Sequence, residues 1–418
     1  IPAVHASGNS AEGIIIGMFD NGVRLPGHEA FDLLRPRIIA QHDFVDHKTS
    51  VIPNDTAPGF GDHGVYTLST IAGYKPGKLI GPAYGASFIL ARTENDSSET
   101  PIEEDNWVAA VEWAESLGVQ VTSTSLVYLG FDPGWPSLTW QDMNGRTAVI
   151  SIAALMAARK GVVVVTSAGN DGQTGSGLPN TLNAPADADS ILSVGAVTPF
   201  GVRAGFSSYG PTSDGRIKPD VMAVGTSMQA ADAYDTGAYT EGSEGGTSFS
   251  CPLTAGVAAL VLKAHPEASS QAVVAAIRST AHQAQAQTTR PDNYYGWGIV
   301  DAVAAINALG PVIPVSTATS YQLLQNFPNP FNPGTTVGFV VPEQADVTIA
   351  IYDLLGRRVR TLLHDTFAAT WTAPYTKEWD GRDDGGRPVA TGVYICRMEA
   401  RGASGMTSRQ VMKMMLVR

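Results

Sequence analysis

Short, nearly continuous apolar runs punctuate the first two hundred residues: Gly13-Ile-Ile-Ile-Gly-Met-Phe19, Ser87-Phe-Ile-Leu90, Val119-Gln-Val121, Gly161-Val-Val-Val-Val-Thr166 and Ile191-Leu-Ser-Val194. Each is short for a helix, and most are rich in β-branched residues, so each reads as a strand buried on both faces. Residues 107–117, 148–159, 248–264 and 270–281 instead carry apolar positions at helical spacing. Such an alternation predicts an α/β domain with a mostly parallel sheet flanked by helices. Beyond residue 335 the period changes. Thr336-Val-Gly-Phe-Val-Val341 and Val347-Thr-Ile-Ala-Ile-Tyr352 alternate, with turn signals at Leu355-Gly356 and Asp384-Gly-Gly386. That pattern predicts a small all-β sandwich.

With 44% hydrophobic and 16% charged residues the chain is no disordered tract, and 418 residues allow two or three domains. Charge divides it further. Residues 326–418 hold 11 Lys/Arg and 9 Asp/Glu, whereas the first 325 hold 16 and 30. An uncharged stretch running from Gly310 to Ser320 reads as a connection. The expected organisation is therefore 1–309 as the α/β domain, 310–325 as linker and 326–418 as the sandwich. A net charge of −12 excludes nucleic acid as a natural partner. Cys251 and Cys396 are too few for a disulfide framework or a CxxC zinc site. The best apolar stretch, 147–165, is interrupted by Arg159-Lys160, so no transmembrane segment is expected. The opening Ile1, with neither Met nor signal peptide, reads as a trimmed, mature form.

Four segments carry candidate chemistry. Phe19-Asp20-Asn21-Gly22 follows an apolar strand, Gly61-Asp62-His63-Gly64 opens a helical pattern, and Ser167-Ala168-Gly169-Asn170-Asp171-Gly172 follows the valine strand. The fourth, Gly246-Thr247-Ser248-Phe249-Ser250-Cys251-Pro252, sets a small hydroxyl residue where a loop becomes a buried helix. Alone, each has an ordinary reading: a turn, a surface histidine, a glycine-rich loop, a helix cap. Together they run in the order Asp…His…Asn…Ser, the order of a subtilisin-type triad.

On these residues, and on the stretches 14–22, 62–73, 162–172, 204–220 and 246–260, the chain closely resembles the subtilase (S8) family of serine peptidases over about its first 300 residues. The resemblance implies a secreted endopeptidase acting on proteins or peptides through an acyl-enzyme. Asp20 would orient His63, His63 would take the proton of Ser248, and Ser248 would attack. Asn170 and the Ser248 backbone N–H would stabilise the oxyanion. It further implies that Ser125-Leu126 lines the substrate cleft and that Ala168-Gly169 floors the specificity pocket. The chemistry needs no cofactor, but structural calcium is common in such proteins. Asp62, Glu94, Asp96 and Glu103-Glu-Asp105 are the candidate carboxylates, with solvated acidic loops as the plainer reading.

The chain departs from the family pattern in several places. Asn21 stands where Ser or Thr is usual, Val65 replaces a Thr, and Tyr66 stands for a second His. Val127-Tyr128 replace Gly-Gly and are expected to add bulk at the cleft, while 128–146, with Trp135 and Trp140, reads as an insertion beside it. Asn21 and Val65 keep open a competing class, a catalytically impaired subtilase fold that binds peptides at the cell surface; an esterase using the same triad is a third. Asn170 and His63 disfavour a Ser-Glu-Asp peptidase. Cys251 reads as a buried small hydrophobe.

The tail has a resemblance of its own. Gln325-Asn-Phe-Pro-Asn-Pro-Phe-Asn-Pro333, Ile351-Tyr-Asp-Leu-Leu-Gly-Arg357, Trp379-Asp-Gly-Arg382, Ala390-Thr-Gly-Val-Tyr394 and the closing Val411-Met-Lys-Met-Met-Leu-Val-Arg418 look like the sorting domains of type IX secretion cargo. This implies an immunoglobulin-like sandwich, a partner in the secretion machinery, and a secreted or outer-surface location in a Bacteroidetes-type bacterium.

Overall fold

The computed structural model describes residues 1–55, 57–174, 177–310, 321–326, 329–368 and 375–417. It divides into two compact units, Ile1–Ala308 and Leu309–Arg418. The connection expected at 310–325 falls largely on 311–320, outside the described residues.

In the first unit the apolar runs become strands β1 (Ile15–Asp20), β3 (Ser87–Arg92), β4 (Val121–Thr124), β5 (Val163–Ser167) and β6 (Leu192–Val197), joined by β2 (Ile38–Asp43) and β7 (Val221–Val224). The order β2-β3-β1-β4-β5-β6-β7 is parallel throughout. The chain starts in the middle of the sheet, moves out to β2, returns to β3, then crosses β1 and steps outward from β4. Direction therefore reverses beside β1, and a crevice is expected at the carboxyl ends of β1 and β4. Asp20 ends β1 and Ser125 follows β4. The sequence pattern misses β2 and β7 for physical reasons. β2 is an edge strand whose polar Gln41 and His42 break the apolar run, and β7 has only four residues.

The helices α1 (Asp62–Ala72), α2 (Ile102–Ser116), α3 (Val149–Arg159), α4 (Thr247–Ala264) and α5 (Ser270–Thr280) cover the sheet. α2 begins five residues before the periodicity indicates, because Glu103, Glu104 and Asp105 occupy its first turn, where carboxylates suit the helix dipole. Its Trp107 is fully buried, meets Phe19 edge to face at 5.8 Å and donates its indole N–H to the Thr124 hydroxyl at 3.0 Å. One side chain thus ties α2 to both strands that flank the crevice. α4 is 18 residues long and apolar enough in composition to cross a membrane, which the reading of 147–165 as the best such stretch overlooked. With 83% of it buried, it is the core helix of the unit.

The second unit holds two antiparallel sheets. One consists of Gln322–Leu323, β8 (Thr335–Val340) and β11 (Tyr375–Trp379). The other has the order β10 (Arg358–Phe367), β9 (Ala345–Tyr352), β12 (Gly392–Gly402), β13 (Thr407–Leu416). Val337, Phe339 and Trp379 from the first sheet share a core with Ile349, Met398 and Met414 from the second. Inward residues alternate along β12, as a half-buried strand requires.

Trp107→Ala is expected to cost about 3–5 kcal/mol of the first unit's stability in urea unfolding. Trp107→Phe, which mainly strands the Thr124 hydroxyl, is expected to cost about 1–3 kcal/mol. A Trp107→Phe chain as stable as the parent would show that the indole bond contributes nothing.

Candidate active site

The turn after β1 and the start of α1 meet at backbone contact distance because Gly64 has no side chain. A Cβ there would lie 1.8 Å from the Gly22 carbonyl oxygen. This approach sets His63, second in α1, against Asp20, which is 2% exposed. Asp20 Oδ1 accepts hydrogen bonds from His63 Nδ1 at 2.7 Å and from the Asn21 backbone N–H at 2.8 Å. Asp20 Oδ2 accepts from the Thr67 hydroxyl at 2.8 Å. A carboxylate can only accept, so Nδ1 of His63 carries a proton and Nε2 keeps its lone pair when the ring is neutral. Burial alone pushes the His63 imidazole down. The charge and hydrogen bond of Asp20, helped by the charge of Asp96, outweigh it and hold the group above its ordinary value. Thr67 did not emerge from the sequence reading, yet it lies one turn beyond His63 on the same helix face, a spacing that could have found it.

Ser248 is the second residue of α4, and its hydroxyl donates to the Ser125 carbonyl at 3.4 Å. In return the Ser125 hydroxyl donates to the Ser248 carbonyl at 2.9 Å. That carbonyl is available because the residue four positions on, Pro252, has no N–H to complete the helical bond. The loss of one helix bond thus becomes a tie between α4 and the end of β4. Among the described residues no hydrogen bond joins His63 to Ser248, so Asp20–His63 and Ser125–Ser248 stand as two separate pairs.

Asn170 is exposed, three residues beyond β5. Its Oδ1 accepts from both the backbone N–H and the hydroxyl of Thr247, each at 3.0 Å. The amide is thereby turned so that Nδ2 is left without a partner among the described residues, as is the Ser248 N–H. A Cβ built on Gly246 would lie 3.8 Å from Asn170 Nδ2 and 3.7 Å from Ser248 N, so the two donors flank one point. Ala168 is buried, and Gly169 is pressed onto Asn183: a Cβ there would sit 1.7 Å from Asn183 Oδ1, and its φ is +107°. Leu126 is half-buried against the core.

The departures look different in three dimensions. Tyr128 adds no bulk to a cleft: it is 1% exposed, stacks on Phe131 and donates its hydroxyl to Glu94 Oε2 at 2.8 Å. The insertion does approach the site. Leu129 and Trp140 line a cavity of about 220 Å³ with Asp171, Leu178, Thr181 and Leu182. Cys251 is buried and bonded to the Thr124 carbonyl, and burial pushes its thiol up to about 12; Cys396 is likewise a free, buried thiol.

Of the candidate carboxylates, Asp96 and Asp105 are exposed, whereas Asp62, Glu103 and Glu104 are buried. Asp62 pairs with Arg24 at 3.0 Å, Asp96 accepts from Asn21, and Glu104 accepts from the Ile150 N–H at the start of α3. Glu94, Glu99 and Glu103 each bring a carboxylate oxygen within 4.8 Å of the others. Glu103 is fully buried; its Oε2 accepts from the Thr100 N–H, while Oε1 has no partner in hydrogen-bond geometry. Burial, then the charges of Glu103 and Asp132, push Glu99 up to about 7. Among the described residues no Lys, Arg or His forms an ion pair with any of the three.

The family model described as the subtilase family matches residues 11–298. Subtilisin DY from Bacillus licheniformis is 31% identical over 303 residues, 72% of this chain and 94% of that protein. Subtilisin E from Bacillus subtilis is 30% identical over 310 residues, 73% of this chain and 68% of that protein. Of solved structures, MycP1 from Mycobacterium smegmatis superposes with a TM-score of 0.56 at 23% identity, covering 75% of this chain and 84% of that one. The protease domain of PatA does so with 0.55 at 19%, covering 71% and 95%. The two structural likenesses speak for a shared fold.

His63 is expected to titrate above about 6.5, the ordinary histidine value, in ring-proton NMR of the folded chain. Because its folded value is raised, it adds stability that is full below that ordinary value and fades as pH rises through the folded one. Asp20→Asn should bring the titration down; an unmoved titration would remove Asp20 as the cause.

Proposed function

The chain belongs to the subtilase family of serine endopeptidases, and from that premise we propose that Asp20, His63 and Ser248 are its catalytic triad, with Asn170 in the oxyanion hole. The Ser248 hydroxyl attacks the scissile carbonyl while His63 Nε2 takes its proton. Asp20 stabilises the imidazolium and keeps the ring in the tautomer that leaves Nε2 free. Negative charge on the former carbonyl oxygen is met by Asn170 Nδ2 and the Ser248 N–H. His63 then returns the proton to the leaving amine, and water hydrolyses the acyl-enzyme by the same route. The observation that carries this reading is the pair of unengaged N–H donors around one point beside Ser248. Helix α4 begins there, adding positive potential. Substrates are proteins or peptides, lying along Ser125-Leu126 with one side chain over Ala168-Gly169.

A hard divalent cation of calcium's class is assigned to Glu94, Glu99 and Glu103, which would supply oxygen ligands and lose their mutual repulsion. The fit rests on the buried, unpartnered Glu103 Oε1 and on the lack, among the described residues, of any cationic side chain paired with the three. The second unit is read as an immunoglobulin-like sorting domain of type IX secretion, directing the peptidase to the cell exterior; its two antiparallel sheets around one core support the sandwich part of that reading.

Fluorophosphonate labelling of the folded chain, abolished by Ser248→Ala, is the expected result. A folded chain that takes no label favours the peptide-binding alternative, and cleavage of small esters but not casein favours an esterase. Asn170→Ala is expected to lower kcat about 10²–10³-fold at little change in KM, a magnitude known from subtilisin itself. Chelation should lower the Tm of the Ser248→Ala chain by about 5–10 °C, equivalent to losing a site held near a hundredfold over its Kd. Glu103→Gln should erase that difference; no cation-dependent shift would remove the assignment.

A further inference from the structure

We propose that Asn21 and Asp96 act as a positioning pair for His63, holding the turn that carries it through their hydrogen bonds to Gly64 and Gly61. The proposal rests on the triad reading above. Asn21 is 4% exposed and touches three segments at once. Its backbone N–H donates to Asp20 Oδ1 at 2.8 Å. Its side-chain Oδ1 accepts from the Gly64 N–H at 2.9 Å, one residue past His63. Its Nδ2 donates to Asp96 Oδ1 at 2.7 Å, in the segment that follows β3. Arg92 secures the arrangement by donating Nε to the Asn21 carbonyl at 3.1 Å.

Asp96 completes the bracket, for its Oδ2 accepts from the Gly61 N–H at 3.4 Å. Gly61 and Gly64 carry amides at the start of α1 that have no partner inside the helix. The pair satisfies one on each side of His63, so the turn that carries the imidazole is held from both ends. A serine or threonine at position 21 has a single oxygen and cannot accept from Gly64 and donate to Asp96 across the same span. The family-atypical residue is therefore matched by a second residue, Asp96, that uses its amide group.

Charge points the same way. The charged groups acting on His63 are Asp20, from β1, and Asp96. Asp62, on α1 itself, is engaged by Arg24, and the Cys251 thiol on α4 is neutral. Facing Asp96 are Arg92 and Asp20. As His63 takes the proton of Ser248 it becomes a cation that the charges of both Asp20 and Asp96 favour, and Asp96 does so without a hydrogen bond to the ring.

The test is the pH dependence of fluorophosphonate labelling of the full chain, with kcat and KM on a peptide substrate. Asp96→Asn keeps an oxygen to accept from Asn21 but removes the charge, together with the long acceptor contact to the Gly61 N–H. Its acidic limb should move to lower pH by about half a unit or more. Its kcat should fall several-fold with KM within about twofold, which a purely structural residue would not produce. Asn21→Ala should label about tenfold or more slowly, the scale of a supporting hydrogen bond to a reacting group. Adding Asp96→Asn to it should cost little more, because the two act as one unit. An unmoved limb in Asp96→Asn, or wild-type labelling in a folded Asn21→Ala, overturns the pair alone. No labelling of the wild-type chain overturns the triad reading, and the pair with it. Should Asn21→Ala not fold, Asp96→Asn decides the matter, since its residue is exposed.

Discussion

One carboxylate, Asp20, is buried at the end of the interior strand β1 with no lysine or arginine paired to it among the described residues. Leaving such a group unsatisfied is prohibitive, so the surroundings are built as its solvation shell. His63, the Asn21 amide and the Thr67 hydroxyl fill that shell, and two of these three donors belong to α1. Placing α1 close enough demands the bare backbone of Gly64. The position of the histidine is thus a by-product of satisfying the aspartate. Electrostatics and packing point to one geometry, which is how a short polar constellation survives in an apolar sheet.

The nucleophile's side is organised by a different device. Pro252 subtracts one bond from α4, and Ser125 supplies a replacement from outside the helix. The first turn of α4 is consequently fastened to the strand end that also borders Asp20's strand. Thr247 extends the same logic to Asn170 by engaging its oxygen and leaving its nitrogen exposed. Each element at the crevice is fixed by a bond that the regular secondary structure left unmade.

Much of this was legible in the chain. Apolar runs around Met18, Leu90, Val164 and Val194 declare the parallel sheet, since both faces of those strands are covered. The edge strand with Gln41 and His42 is hidden because one side needs no apolar cover. The acidic start of α2 is read as loop by periodicity, because Glu103 and Glu104 break the apolar pattern while obeying the helix dipole. The segments around Asp20, His63, Asn170 and Ser248 announce themselves by order and by turn chemistry. Tyr128 misleads, because a bulky residue in a motif that usually carries glycine reads as an obstruction, and only the fold reveals a buried phenol bound to Glu94. Asn21 misleads in the same way: the family pattern presents it as a defect, while its side chain bonds to Gly59, Gly64 and Asp96, which no spacing rule connects.

Tyr128 has one further consequence. Its backbone pairs with Ala184 in both directions, at 2.8 and 3.0 Å, and its ring is locked in the core. The segment that follows therefore grows from a rooted stem. Changes confined to the exposed positions of residues 129 to 146 are thereby held away from the strand end bearing Ser125. The region can diversify like a graft on fixed stock, changing the company the crevice keeps while its reactive groups hold still.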